Sequence, residues 1–228
     1  MLIGGLQKTT LIDYPDKIAA TIFTIGCNFR CSFCHNPNIV KGIARVIPAD
    51  KVFDFLKSRK GLLDAVCITG GEPTIQSGLI QFIRELKKLG VLVKIDTNGT
   101  NPVLLEKLIN NKLVDYVAMD IKSAWADYPK ITCRLYDLTD IQKSATMLME
   151  NKVPYEFRST VMPLLHSEEE IIEMARQIKG AEKYFLQPFK SEKKLVNDNL
   201  VNEATYSKKA LSEIVDKIKD WFTVCRVR

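Results

Sequence analysis

The feature that most constrains the fold is a repeated alternation of short apolar runs with amphipathic stretches. The apolar runs are rich in β-branched residues, and they predict strands at 19–25, 65–69, 91–95, 116–121, 155–161 and 183–187. Most are continuously hydrophobic, as strands covered on both faces are. The stretches between them carry apolar residues at helical spacing. Strands and helices in alternation predict a parallel sheet with right-handed crossovers.

Six such units in one chain predict an α/β fold, a partial (β/α)6 barrel rather than a closed eight-stranded one. We expect residues 1–228 to form a single domain, because no linker long or polar enough to divide them is present. The polar stretch 191–208 is predicted to be a loop of that domain. The fifth helix is predicted to begin at the capping-box pattern Ser167 to Glu170.

The composition is that of an ordinary globular protein, with 46% hydrophobic and 26% charged residues. The formal net charge of +6 is a mild bias, so nucleic acid is not an expected partner, whereas an acidic electron carrier would be attracted. The first 17 residues lack a secretory signal pattern, and no run of about 18 apolar residues occurs. We therefore expect a cytoplasmic protein without a membrane partner.

Three of the six cysteines lie in the nine residues CNFRCSFCH at 27–35. They follow the first predicted strand, so the loop 26–36 would present three thiols at the carboxyl end of the sheet, where parallel barrels carry their active sites. Disulfides are not expected in the cytosol. A zinc site remains an alternative, although structural zinc usually takes four ligands from two separated pairs. The other cysteines are interpreted as inert thiols; they are Cys67, Cys133 and Cys225.

Three thiolates around a 4Fe–4S cluster leave one iron without a protein ligand, which implies a cofactor or substrate at that position. The sequence CNFRCSFC resembles the CxxxCxxC signature of the radical S-adenosylmethionine (SAM) enzymes, with Phe33 in the aromatic position. The resemblance implies a cluster on Cys27, Cys31 and Cys34 whose open iron binds SAM. It further implies an oxidoreductase that cleaves SAM reductively to a 5′-deoxyadenosyl radical.

Polar motifs follow four of the other predicted strands. TGGEP, with Gly70, Gly71 and Glu72, resembles the family's GGEP motif, which contacts the SAM amino group. DTNG, MDIK and RSTVMP resemble the activating enzymes of glycyl-radical enzymes. The resemblance implies that Arg158 pairs with the SAM carboxylate and Lys122 with its ribose side. It implies further SAM contacts at Thr97 and Asn98, and a monovalent cation held by Asp96, Thr97 and Asp120.

The segment TTLIDYPDKIAATIF resembles activators of anaerobic ribonucleoside-triphosphate reductase. The resemblance implies that Asp13 helps to receive the glycyl loop of a partner enzyme, and that a glycine usually stands where this chain has Asp16. LQPFK at 186–190 resembles the same branch, since pyruvate formate-lyase activators tend to carry histidine at the position of Lys190. The implied partners are a glycyl-radical enzyme and a flavodoxin or ferredoxin-like electron donor.

Other functions stay open at this point. The same site could act on a small molecule, as in enzymes similar to 7-carboxy-7-deazaguanine synthase, or could activate pyruvate formate-lyase. A non-catalytic iron–sulfur or zinc module would have no use for GGEP, DTNG or Arg158. Neither histidine, His35 or His166, is assigned a catalytic role.

Overall fold

The computed structural model describes residues 1–190 and 194–228. An eight-stranded sheet forms its centre, with the strands in sequential order. The strands are β1 (Ile3–Thr10), β2 (Ala19–Thr24), β3 (Ala65–Gly70), β4 (Leu92–Thr97), β5 (Tyr116–Asp120), β6 (Tyr155–Val161), β7 (Lys183–Pro188) and β8 (Val224–Val227). β1 is antiparallel to β2, and every later pair is parallel. β1 and β8 remain the two edges, so the predicted partial α/β barrel is confirmed.

All six predicted strands are present, and the sequence interpretation missed the two edges. β1 has two glycines and three consecutive exposed polar residues, and β8 has only four residues, so neither has a strong strand pattern. The helices are α1 (Pro37–Val40), α2 (Ala49–Ser58), α3 (Leu79–Lys88), α4 (Pro102–Asn110), α5 (Tyr128–Thr132), α6 (Leu138–Met149), α7 (Glu168–Arg176) and α8 (Lys208–Ile218). No helix in the described ranges is both long enough and apolar enough to cross a bilayer.

The helices pack one apolar face on the outer side of the sheet. In α3 the buried residues recur at helical spacing; they are Leu79, Phe82, Ile83 and Leu86. Burial of each such side chain contributes about 1.5–3 kcal/mol. The predicted start of α7 is confirmed, because Ser167 and Glu170 form a reciprocal capping box.

The inner side of the sheet is polar toward the carboxyl ends of the strands, and a small apolar cluster lies toward the amino ends of β2 to β5. A small cluster closes the amino end; it consists of Tyr14, Ala19, Ala65 and Tyr116, with Leu92 packed against it. The rings of Tyr14 and Tyr116 lie 5.8 Å apart. The charged side chains of β4, β5 and β6 lie between this apolar cluster and the cysteine loop.

The polar stretch after β7 covers the cysteine loop. Of the predicted loop 191–208, residues 191–193 lie outside the described residues, and a short 3-10 turn occupies Asp198–Leu200. The backbone N–H groups of Val196 and Asn197 donate to the carbonyls of Cys34 and Ser32, each at 3.0 Å. The loop therefore helps to fix the backbone that carries the third cysteine.

Candidate active site at the carboxyl ends of the strands

The cysteine loop begins two residues after β2 and folds over the end of the sheet. Gly26 donates its backbone N–H to the carbonyl of Ile39 at 2.8 Å, and Cys34 donates to the carbonyl of Cys31 at 3.1 Å. Cys31 is buried, whereas Cys27 and Cys34 are half-buried. The three cysteines line one cavity of about 240 Å³ together with residues from the ends of β3, β4, β5 and β6.

The thiols are held in surroundings that disfavour their charged form. Burial, with the nearby charge of Glu72, raises the pKa of Cys27 to about 12. Burial also raises the pKa of Cys31 to about 11, although Lys122 acts in the opposite direction. Thiolates at these positions therefore require a cationic ligand such as iron. In the described part of the chain, no three Cys, His, Asp or Glu side chains lie close enough together to hold a single metal ion.

Phe33, the aromatic residue before the third cysteine, packs against a histidine that the sequence left without a role. The ring of Phe33 is buried and meets the ring of His166 edge-on at 6.1 Å. Nε2 of His166 lies 2.9 Å from the carbonyl oxygen of Lys122, which can only accept, so Nε2 carries the proton. His166 thus connects the cysteine loop to the segment after β5.

The two glycines after β3 allow a close approach of backbone to backbone. Gly70 has a φ of +112°, and a Cβ on Gly71 would lie 1.8 Å from the carbonyl oxygen of Gly26. Glu72 donates its N–H to that same oxygen at 2.8 Å. The glycines are therefore needed so that the backbone at the end of β3 can contact the backbone that leads into the cysteine loop.

Glu72 holds the ends of β3 and β4 together. Its side chain is 1% exposed, and it accepts hydrogen bonds from Thr74 N, Thr74 Oγ1, Thr97 Oγ1 and Asn98 N at 2.7–3.0 Å. Burial raises the pKa of Glu72, and these donors oppose that effect. Both carboxylate oxygens accept hydrogen bonds, so Glu72 fixes the positions of neighbouring residues that line the cavity.

A set of amides connects the cysteine loop to the loop after β4. Asn98 donates from Nδ2 to Oδ1 of Asn28 at 2.8 Å, and Asn28 donates from its own Nδ2 to Oγ1 of Thr100 at 2.7 Å. Thr100 in turn donates to Oδ1 of Asn98 at 2.7 Å. The sequence interpretation did not single out Asn28; its place next to the first cysteine was the available signal.

Five charged side chains, one buried and four half-buried, form a network at the cavity. Arg158 donates from Nε to Asp120 at 3.0 Å and from Nη1 to Asp96 at 3.2 Å. Lys122 pairs with Asp120 at 2.9 Å, and Lys94 pairs with Asp96 at 2.6 Å. Burial alone would raise the pKa of both carboxyl groups, but Arg158, with Lys94 at Asp96 and Lys122 at Asp120, holds each below its ordinary value. The network keeps both aspartates ionised.

The sequence interpretation missed Lys94, although a lysine inside the apolar run VLVKI was a visible signal. Its side chain is 2% exposed, and Nζ also lies 3.9 Å from the sulfur of Cys67. Burial would lower the pKa of Lys122, whereas Asp120 and Cys31 raise it above its ordinary value. Three cations and two carboxylates leave the network with one excess positive charge, which suits an anionic group of a ligand.

The network is less suited to the predicted monovalent cation. Both oxygens of Asp96 are paired with Lys94 and Arg158, and both oxygens of Asp120 are paired with Arg158 and Lys122. A cation at these carboxylates would have to displace an ammonium or guanidinium group. The cation therefore stays a prediction that the paired carboxylates do not favour.

Most of the predicted site residues meet at the cavity. Those that line it are Cys27, Cys31, Phe33, Cys34, Gly70, Gly71, Glu72, Asp96, Thr97, Asn98, Asp120 and Lys122. Arg158 lies directly behind this wall, against Asp96 and Asp120. Asp13 does not line the cavity, because it lies in the β1–β2 hairpin and accepts a hydrogen bond from Oγ1 of Thr21. Asp16, where the resemblance places glycine, has a φ of +57°.

The chain forms a mostly parallel partial barrel, and three thiols lie over a charged network at the ends of its strands. This arrangement defines a cofactor-dependent α/β enzyme. The sequence profile of the radical SAM superfamily matches residues 21–178. The chain therefore belongs to the radical SAM superfamily, and the predicted enzyme class is confirmed.

Two curated relatives match most of the chain. A candidate glycyl-radical enzyme activating enzyme of Methanocaldococcus jannaschii is 38% identical over 197 residues, which cover 82% of this chain and 80% of that protein. The pyruvate formate-lyase-activating enzyme of Staphylococcus epidermidis is 28% identical over 204 residues, with the same two coverages. The first is named for the activation of a glycyl-radical enzyme and the second for the activation of pyruvate formate-lyase.

A solved structure shows the same fold. Streptococcus suis SuiB bound to S-adenosylmethionine superposes with a TM-score of 0.68 over 90% of this chain, at 16% sequence identity. The match covers 48% of SuiB, so this chain spans about half of that protein's length. At this identity the likeness concerns the fold alone.

Membership of the superfamily implies SAM and a 4Fe–4S cluster, and the residues present fit both groups. Of the described residues, three cysteines and no fourth line the cavity. Gly70, Gly71 and Asn98 line it as well, and the charged network has an excess positive charge that suits the SAM carboxylate.

Proposed function

We propose that this chain generates a glycyl radical on a partner enzyme. The observation that carries the proposal is the match, at 38% identity, to a candidate glycyl-radical enzyme activating enzyme over four fifths of both chains. Bound at Cys27, Cys31 and Cys34, the cluster would supply the electron that cleaves SAM to methionine and a 5′-deoxyadenosyl radical. The product radical on a glycine Cα would be stabilised by delocalisation into the adjacent amide groups.

Side chains of the cavity would hold SAM in one orientation. We propose that Arg158, together with the excess positive charge of the network, binds the SAM carboxylate, and that Lys122 contacts the ribose side. Gly70, Gly71, Glu72, Thr97 and Asn98 would form the wall along which the amino group and the nucleoside lie. Phe33 would pack beside the cluster and keep water from it.

The charge network limits how Arg158 can act. Its guanidinium already donates to both Asp96 and Asp120, so it would reach the SAM carboxylate with its remaining donors. A monovalent cation at Asp96, Thr97 and Asp120 would compete with the same guanidinium for the same oxygens. We therefore propose that SAM binding depends on Arg158 and not on added potassium or sodium.

The proposed partner is anaerobic ribonucleoside-triphosphate reductase, with pyruvate formate-lyase as the alternative. The branch motifs of the sequence support the first, since an exposed lysine, Lys190, follows Phe189 in LQPFK. Phe189 stacks on the ring of His35 at 5.4 Å and so fixes this segment against the cysteine loop. The electron donor would be a flavodoxin or a ferredoxin-like protein.

Electron paramagnetic resonance tests the proposal. The anaerobically reconstituted chain is mixed with SAM, a reductant and each of the two candidate partners, and the glycyl doublet is recorded. A doublet on the reductase supports the preferred partner, and one on pyruvate formate-lyase alone supports the alternative. Release of 5′-deoxyadenosine without a doublet on either partner would contradict both and favour a small-molecule substrate.

Asp13 has its own test, because the structure places it outside the cavity. Asp13→Asn is expected to lower the yield of glycyl radical while leaving partner-free cleavage of SAM unchanged. Asp16→Asn is the matched control, since it makes the same change three residues further along the same hairpin, where asparagine tolerates the left-handed conformation. Equal radical yields from the two variants would show that Asp13 does not help to receive the glycyl loop of the partner enzyme.

A further inference from the structure

A basic and apolar patch lies on the surface beside the cysteine loop. We call it the cluster-side patch and define it by Lys130, Arg134 and Leu135, which are all exposed. Leu135 is 90% exposed, the highest value among the large exposed hydrophobic residues of the described chain. In the described ranges no carboxylate lies within ion-pairing distance of Lys130 or Arg134.

The two nearest carboxylates along the chain, Asp127 and Asp137, form no ion pair with Lys130 or Arg134 in the described ranges. Asp137 faces the start of α6, where it accepts the N–H of Thr139 at 2.9 Å and caps the helix. Two cations without a carboxylate partner beside an exposed leucine fit a partner that has acidic groups around an apolar centre.

Short contacts connect the patch to two cysteines. The backbone N–H of Arg30, which precedes Cys31, donates to the carbonyl of Thr132 at 2.9 Å. The ring of Phe29 meets the ring of Tyr136 edge-on at 5.8 Å, and the N–H of Phe29 lies 3.4 Å from the sulfur of Cys27. The loop that carries the patch is therefore in direct contact with the backbone that carries two of the proposed cluster ligands.

We propose that the cluster-side patch is the docking site of a small acidic electron-transfer protein. This inference rests on the proposed function, since it is the cluster at Cys27, Cys31 and Cys34 that needs an external electron. One electron leaves the reduced carrier and enters the bound cluster, and no bond or proton changes place. The cations orient the carrier by charge, and Leu135 supplies the apolar centre of the contact.

A second basic surface lies at the other end of the sheet and serves as a control. This amino-end groove contains Lys17, Lys57, Arg59, Lys60 and Lys88. It lies at the starts of β3 and β4, about 20 Å from the cysteine loop for strands of six residues. Except for Lys17, its cations lie where α2 and α3 end, and there they compensate the helix dipoles. It therefore has a structural explanation and is remote from the cluster.

Binding is measured first, because it does not require a loaded enzyme. The dissociation constant for an acidic flavodoxin is determined by calorimetry at low ionic strength with wild-type protein, K130E/R134E and K57E/K60E. The first variant is expected to bind at least 10-fold more weakly, and the second, which changes the net charge equally, less than 3-fold. Equal weakening by both variants would overturn the proposal, since only net charge would then matter.

Reduction is measured next, with two reductants. With reduced flavodoxin, K130E/R134E and L135S are each expected to lose at least 10-fold in the rate of cluster reduction. Only K130E/R134E should also lose most of the dependence of that rate on ionic strength, because L135S keeps both cations. With dithionite, both variants should reduce at the wild-type rate, which also verifies their folding. An unchanged flavodoxin rate in both variants would contradict the proposal. Failure of wild-type protein to cleave SAM with dithionite would instead contradict the proposed function.

Discussion

Arg158 lies beside Asp120 in the register of β6 and β5, and its Nε donates to the carboxylate at 3.0 Å. The two residues are neighbours because parallel strands place equivalent positions side by side at the same edge of a sheet. Nη1 of Arg158 reaches Asp96 at the end of β4. The strand register therefore assembles the charge network directly behind the cavity.

Asp96→Asn tests the stabilising role of this network. The change leaves Lys94, whose side chain is 2% exposed, without its carboxylate. We expect the free energy of unfolding of the cluster-free protein to fall by about 3 kcal/mol, because an unpaired buried charge remains. Urea unfolding measures it. Adding Lys94→Met to the variant should restore at least half of the loss, and a loss below about 1 kcal/mol from Asp96→Asn alone would contradict the account.

Glu72→Gln tests the connection between β3 and β4. An amide offers one accepting oxygen to donors on two sides, so at least one buried donor among Thr74, Thr97 and Asn98 loses its partner. We expect a loss of about 1–3 kcal/mol in unfolding free energy, together with weaker SAM binding. Glu85→Gln is the control, since Glu85 bonds only exposed partners on α3 and should change stability by less than about 0.5 kcal/mol. Equal effects of the two changes would be inconsistent with this role.

Gly71→Ala tests the close approach of β3 to the cysteine loop. The new methyl group would meet the carbonyl of Gly26 at 1.8 Å, and backbone cannot move aside as a flexible side chain can. We expect a loss of about 2–3 kcal/mol and a fall in iron bound per chain after anaerobic reconstitution. Gly42→Ala adds a methyl group in open space at a φ of +79°, so it should cost about 1 kcal/mol and leave iron content unchanged. Full iron loading of Gly71→Ala would refute the argument.

The repeating pattern of the sequence was sufficient to predict the fold class and six of the strands. β1 and β8 were not predicted because an edge strand with glycines or with only four residues carries little periodic signal. The predicted site residues come together because the ends of parallel strands meet at one edge. Their hydrogen bonds could not be predicted, since Glu72 and Thr97 are 25 residues apart and only the folded loops bring them to 2.7 Å.

His166 predicts a pH dependence of stability. Burial lowers its pKa below the ordinary value, and its protonated Nδ1 would oppose the N–H of Met162, which now donates to it at 3.4 Å. Below about pH 6.5 the unfolded chain binds a proton that the native protein does not. The free energy of unfolding therefore decreases as the pH is lowered, by at most about 1.4 kcal/mol per pH unit. His166→Gln should reduce this slope between pH 6.5 and 5.5 in urea unfolding. Parallel slopes for the variant and the wild type would exclude His166 as the source.

The most direct test of the central claim is reductive cleavage of SAM by the anaerobically reconstituted protein, measured as 5′-deoxyadenosine released with dithionite. Single alanine variants of Cys27, Cys31, Cys34, Cys133 and Cys225 are compared with the wild type. The account predicts product from the wild type and from Cys133→Ala and Cys225→Ala, with a loss of at least 100-fold for Cys27→Ala, Cys31→Ala and Cys34→Ala. No product from the cluster-loaded wild type, or undiminished product without any one of these three cysteines, would contradict it.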